Sequence, residues 1–164
     1  MLTSDKIKIR IANTQDDKLY LQLRKDIFLE QFTPQEWLVE KLHQIEALIP
    51  FSNYTYLLAV VDRKPVGYIQ IHSGLVPQDA HVASVEVNAL RQFRDSEVEE
   101  KLLKYAEKYA IRNEIHRLEQ KIPQNDYNRL QFNINREYAI EQKLTKALYI
   151  NEAYQDCYLI VKFV

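Results

Sequence analysis

Residues 81–110, HVASVEVNALRQFRDSEVEEKLLKYAEKYA, decide the fold. Val82, Ser84 and Glu86 alternate with Ala83, Val85 and Val87, the period of two that puts one set on each face of a strand. Further on, Val98, Leu102, Tyr105 with Ala106, and Tyr109 recur at spacings of three and four, which describes an amphipathic helix. A helix that follows a strand turns its free backbone N–H groups outward and suits an anion. Here the turn and first helical residues are Arg94, Asp95, Ser96, Glu97, Val98, Glu99 and Glu100. Carboxylates stand where a phosphate would be met. The same acids also suit a helix start on their own, because they complement the helix dipole. A plain stable helix start is the simpler of the two readings.

Working outward, the 164-residue chain has one domain's worth of length, so residues 1–164 read as a single domain. A net charge of −1 supplies no basic field for nucleic acid or an anionic membrane. No apolar run approaches the ~18–20 residues of a membrane span, and the polar start MLTSDKIKIR is unlike a signal peptide. Cys157 is the single cysteine, which excludes an internal disulfide and a thiolate cluster and points to a reduced, cytoplasmic protein. Only Gly67 and Gly74 supply glycine, so no glycine-rich loop can be built, while eleven tyrosines offer amphipathic bulk for strands and an interface.

The flanks fill in the order. Residues 6–12 alternate Ile7, Ile9 and Ile11 against Lys6, Lys8 and Arg10, a half-buried strand. Asn13 and Thr14 offer N-cap chemistry ahead of Asp16 and Asp17, and Leu19, Leu23 and Ile27 define a helix face. Thr33, Pro34 and Glu36 form a capping box for a second helix over Leu38, Leu42, Ile45 and Ile49. Residues 54–62 and 65–72 form a hairpin about Asp62, Arg63 and Lys64. Residues 114–122 suit either helix or strand, and a short helix follows over 128–135. A last hairpin pairs residues 138–148 with 154–164. The order is β-α-α-β-β-β-α-β-α-β-β, an α/β fold with a mixed sheet.

Several constellations carry no chemistry. His43, His72, His81 and His116 lack metal-ligand spacing, so no metal site is expected. Cys157 lies in an apolar alternation and reads as a packed strand residue. Lys101, Lys104 and Lys108 with Glu97, Glu100 and Glu107 form a solvated, ion-paired helix face. Trp37 reads as core.

This order, and the residues within it, resemble the GNAT superfamily of N-acetyltransferases over nearly the whole chain. IKIRIANTQDD looks like the family's first strand and helix start, and LLAVVDRKPVGYIQI like its second and third strands with Gly67 in VGY. EIHRLEQKIPQND resembles the fifth strand and its Asn-containing sequel, which makes residues 115–122 a strand splayed from the fourth. REYAIEQKLTKALYINEAYQDCYLIVKFV is similar to the ending of the branch that includes ribosomal-protein, amino-acid and polyamine acetyltransferases. Tyr138 then stands at the family's aromatic position, Glu137 at the glycine before it, Glu141 at the family Glu, and Tyr154 and Asp156 at a Y-x-D pair.

The resemblance implies acetyl-CoA as cofactor and a small-molecule or protein amine as acceptor. The implied cofactor-binding positions are Val87, Asn88 and Ala89 for the pantetheine, and Arg94, Asp95, Ser96, Glu97, Val98 and Glu99 for the pyrophosphate, with Asn125. The implied catalytic positions are Glu86, as a base that also suits a plain strand ion pair, and Asn133. Two departures stand out. Asp95, Glu97 and Glu99 occupy glycine-like positions of the family's R/Q-x-x-G-x-G/A loop. Asn133 replaces a proton-donating Tyr, and Asn has no proton to give at this step; Tyr127 and Tyr138 are nearby alternatives. Two like charges ~4 Å apart repel by ~1 kcal/mol in water and ~4 at an effective dielectric of 20, enough for several carboxylates to remove ordinary cofactor affinity. The expectation is an acetyltransferase-like protein with a degenerate acyl-CoA loop and impaired or lost activity. The alternative is a pseudoenzyme that binds proteins or forms a homodimer.

Overall fold

The computed structural model describes residues 6–31 and 54–164. The helix expected over 33–49, with Trp37, lies outside the described residues. In chain order come β1 (Ile7–Ile11), a 3-10 turn (Thr14–Asp16), α1 (Asp17–Gln31), β2 (Tyr54–Val61), β3 (Lys64–Ser73) and β4 (Val82–Ala89). A second 3-10 turn (Arg91–Phe93), α2 (Glu97–Arg112), β5 (Arg117–Pro123), α3 (Tyr127–Ile134), β6 (Ala139–Ile150) and β7 (Ala153–Phe163) complete it. The sheet has seven strands in the order β1-β2-β3-β4-β5-β7-β6, the mixed α/β arrangement anticipated from the alternating pattern. The described residues form two compact units, residues 6–31 and 54–72 with 87–106, and residues 73–86 with 107–164.

In the first unit, β2 and β3 close a hairpin through Asp62 and Arg63, whose φ values of 48° and 67° make a two-residue turn without glycine. Gly67 serves a different purpose. A Cβ there would meet the Asn88 carbonyl oxygen at 3.0 Å and the Ala89 Cβ at 3.1 Å, so its bare backbone lets β4 approach β3. The start of α1 is a capping box: the Asn13 side chain accepts from the Gln15 amide at 2.9 Å, and Asp16 takes the Asn13 amide at 2.9 Å. Arg10 on β1 clamps the same Asp16 carboxylate with contacts of 2.6 and 2.7 Å. The buried face of α1 is Tyr20, Leu23 and Ile27, which pack with Leu58 and Tyr68. Leu19, expected on that face, is 42% exposed. The 3-10 turn before the helix sets its phase, and Tyr20 can bury its ring while its hydroxyl donates to Gln70.

In the second unit, β4 and β5 pair in parallel from Val82↔Arg117 to Ser84↔Glu119. β5 then runs antiparallel to β7, from Arg117↔Phe163 to Pro123↔Cys157. The strand begins at Arg117 rather than at 115 because residues 110–115 close α2. The Ile115 amide donates to the Ala110 carbonyl and the Glu114 amide to the Ile111 carbonyl, with Glu114 left-handed at φ 58°. This is a Schellman motif with glutamate in the position usually held by glycine. The terminal hairpin turns at Asn151 and Glu152, again left-handed at 50° and 64°. Cys157 is fully buried in β7, as its apolar surroundings suggest.

Candidate functional site

The expected cofactor positions in the first unit follow one another along the chain. Val87 and Ala89 point into the core from the end of β4, and Asn88, half-buried, donates its amide to the Tyr68 hydroxyl at 3.2 Å. The Leu90 amide donates to Val66, the Arg91 amide to the Glu30 carboxylate at 2.7 Å, and the turn ends at buried Phe93. Arg94 and Asp95 lie half-buried with their charges 4.0 Å apart. Glu97, on the outer surface, faces Lys101, and Glu100 faces Lys104, the i,i+4 pairs read from the sequence.

Glu99 behaves differently. Its side chain is fully buried, and its Oε2 accepts the Asp95 amide at 2.7 Å. Ser96 Oγ accepts the Val98 amide at 3.2 Å and donates to the Phe93 carbonyl at 2.5 Å. Ser96 and Glu99 together are an S-x-x-E cap, in which the acid reaches one residue further back than the usual box. The S-x-x-E spacing of Ser96 and Glu99 is the signal of that cap in the sequence. Asp95 has φ 50°, a left-handed backbone at a position where the resemblance expects glycine. Of the four amides that a helix start leaves without intrahelical partners, Val98 is already engaged from inside, as is Asp95 just ahead of them.

In the second unit, Glu86 is exposed on β4 between buried Val85 and Val87. Asn125 is exposed in the turn before α3. Asn133, fully buried on α3, donates its amide N–H to the Arg129 carbonyl at 2.9 Å and accepts from Gln120 at 2.8 Å. Both functional ends of its side chain are thereby committed, and it pins α3 to β5. Tyr127 is 73% exposed, whereas the Tyr138 ring is buried. Among the described residues the Tyr138 hydroxyl has no hydrogen-bond partner. Burial pushes its ionisation well above the ordinary range; Gln120 acts the other way, and Glu107 adds to the rise. A phenol so held keeps its proton at neutral pH.

The other family-like positions also have structural partners. Glu137 is left-handed at φ 69°, another expected glycine, and its carboxylate lies 3.3 Å from Lys162, which also binds Glu107 at 2.9 Å. Arg117 holds Glu119 and, in a two-pronged pair, Glu141, whose carboxyl it keeps below the usual carboxylate range. Asp156 accepts the Lys146 amide at 2.9 Å and pairs with Lys143 at 3.1 Å, securing an irregularity of β6 where Lys146 is left-handed. Those contacts lower the Asp156 pKa, the backbone amide most. Among the described residues, no three His, Cys, Asp or Glu side chains gather as a metal-binding group. Nor, among them, is any helix long and apolar enough to cross a membrane.

No family model and no curated protein matches this sequence. Solved structures do. An acetyltransferase of the GNAT family from Streptococcus pneumoniae superposes with a TM-score of 0.80 at 20% identity, over 96% of this chain and 99% of that one. A probable acetyltransferase from Staphylococcus epidermidis gives 0.76 at 18% identity over the same shares. A ribosomal-protein-alanine N-acetyltransferase from Brucella melitensis gives 0.74 at 15%, again over 96% and 99%. Identities this low with agreement across whole chains speak to architecture: this chain has the fold of the GNAT acetyltransferases.

Proposed function

We propose that this chain is an acetyltransferase-like protein in which the ancestral reaction, acetyl transfer from acetyl-CoA to a primary amine, is impaired or lost. The observation that carries this reading is the occupied start of α2, where the buried Glu99 carboxylate takes the Asp95 amide. A pyrophosphate needs backbone N–H groups at close range and a local positive potential. The residues present do not fit such a group: a side chain fills one amide, and Asp95 and Glu97 add negative charge around it. Val87, Asn88, Ala89, Arg94, Asp95, Ser96, Glu97, Val98, Glu99 and Asn125 are, on this reading, the positions of a degenerate cofactor site.

The catalytic positions support the same conclusion. Glu86 is exposed and of the right type for a base, but Asn133 has no proton to donate and its amide is held by Gln120 and Arg129. A cytoplasmic location accompanies this reading. The test is release of CoA from acetyl-CoA across a panel of primary amines, including peptide N-termini, polyamines and amino acids. The expected result is no turnover above the rate without protein. Turnover at an ordinary enzymatic rate, about 1 s⁻¹ or faster, that disappears in Glu86→Gln would overturn the proposal.

A second reading, a non-catalytic module that binds a protein or a second copy of itself, is favoured by the terminal hairpin. Tyr149 and Tyr154 face each other across its strands with centroids 5.1 Å apart, 48% and 70% exposed. Strand addition along β6 is disfavoured, since register irregularities and Glu141, Lys143 and Lys146 interrupt that strand. Contact would fall on the tyrosine tip. Sedimentation of the wild type beside Tyr149→Ala/Tyr154→Ala tests it: a dimer that the double variant dissociates supports a homodimer, and monomers throughout argue against one.

A further inference from the structure

We infer that Glu99 is a built-in ligand of the loop that opens α2, a carboxylate seated on the amide that the loop would otherwise offer to an external anion. The inference rests on the degenerate-site reading above and goes further, because it assigns the loss of anion binding to one buried side chain. Three observations converge on it. Glu99 is fully buried and its Oε2 lies 2.7 Å from the Asp95 nitrogen, so a carboxyl oxygen already occupies that donor. Asp95 has a left-handed backbone, φ 50°, the conformation that glycine adopts most readily, so the turn ahead of α2 is made without a glycine. Ser96, held to the Phe93 carbonyl, takes the Val98 amide and locks the first helical turn around the acid.

Two mechanisms would each silence the loop, and they separate experimentally. If surface charge alone repels anions, neutralising Asp95 and Glu97 restores binding while Glu99 stays in place. If Glu99 plugs the loop, those changes do little and removal of its carboxylate does most. Glu99→Gln is intermediate, because it removes the charge yet leaves an acceptor oxygen that can still reach the Asp95 amide.

The test is calorimetric titration of the full chain with inorganic pyrophosphate and with CoA, on the wild type, Glu99→Ala, Glu99→Gln and Asp95→Asn/Glu97→Gln. The plug predicts that Glu99→Ala binds pyrophosphate at least about tenfold tighter than the wild type, a difference calorimetry resolves. Glu99→Gln should gain less, and the double variant less than Glu99→Ala. Equal affinities of folded Glu99→Ala and wild type, or recovery by the double variant as large as that of Glu99→Ala, would overturn the plug. Should Glu99→Ala fail to fold, amide hydrogen exchange on the wild type decides: the Asp95 amide is expected to exchange at least about tenfold more slowly than an unprotected amide. Exchange at the unprotected rate refutes the contact. Tight CoA binding by the wild type would instead sink the degenerate-site reading, so the two failures are distinct.

Discussion

The starts of the two long helices among the described residues use the same chemistry to different ends. At α1, Asn13 and Asp16 exchange hydrogen bonds with backbone amides, and Arg10 neutralises the acid from β1. At α2, Ser96 and Glu99 do the corresponding work, but the acid is fully buried and receives the Asp95 amide. An acid that accepts a backbone amide is therefore a helix-start device shared by α1 and α2. Its presence at residues 95–99 needs no functional cause. What distinguishes α2 is that its acid is fully buried, at the opening of the helix that follows the fourth strand.

The comparison sharpens first at Glu99. Glu99→Ala removes a buried hydrogen bond and leaves the Asp95 amide without that partner, and is expected to cost about 2–3 kcal/mol in denaturant unfolding. Asp16→Ala should cost less, about 1–2 kcal/mol, because its site is nearer to solvent. Acid titration separates the two starts further. Hydrogen bonding to Arg10, chiefly, holds the Asp16 carboxyl below its ordinary value of 3.8. A depressed folded pKa contributes stability that is present above the unfolded value and lost as pH falls through the folded one. The wild type should therefore lose stability below about pH 4 more steeply than Arg10→Ala, with the curves running parallel above it. Parallel curves throughout would deny that Arg10 matters.

Ser96→Ala removes only a neutral cap and should cost about 1 kcal/mol. Glu114→Gly moves the other way. The residue is exposed and left-handed at the C-terminus of α2, so glycine should stabilise by up to about 1 kcal/mol, read as a raised melting temperature. Lys104→Ala, which breaks the exposed pair with Glu100, should change stability by less than about 0.5 kcal/mol.

How far the sequence could be read depends on which force decided each element. The alternation at residues 82–89 was fully legible, because burial of every second side chain leaves a direct trace. Gly67 was legible as part of a motif, but its reason, the close approach of Asn88 and Ala89, needed coordinates. On α1, Leu23 and Ile27 are buried as expected, but at the first position Tyr20, a polar-tipped ring, buries where Leu19 does not. Tyr105 is likewise 43% exposed, and Leu103 and Ala110 take its share of the α2 core.

Turns were harder to read. Left-handed backbone falls on Asp62, Arg63, Asp95, Glu114, Glu137, Lys146, Asn151 and Glu152, while neither glycine has positive φ. A search for glycine could find the resemblance broken at 95 and 137, yet could not reveal that Asp95 and Glu137 are themselves left-handed. The direction of Glu99 was equally hidden. An acid in a first helical turn can face water or fold inward, and composition does not distinguish the two.

The most direct measurement of the central claim is a calorimetric titration of the wild-type chain with acetyl-CoA at low and at physiological salt. A loop whose Asp95 amide is already taken by Glu99 predicts no saturable binding up to about 1 mM at either salt, corresponding to less than about 4.1 kcal/mol of binding energy. Saturable binding at micromolar concentration would contradict it, and would mean that residues 94–99 open to admit the cofactor.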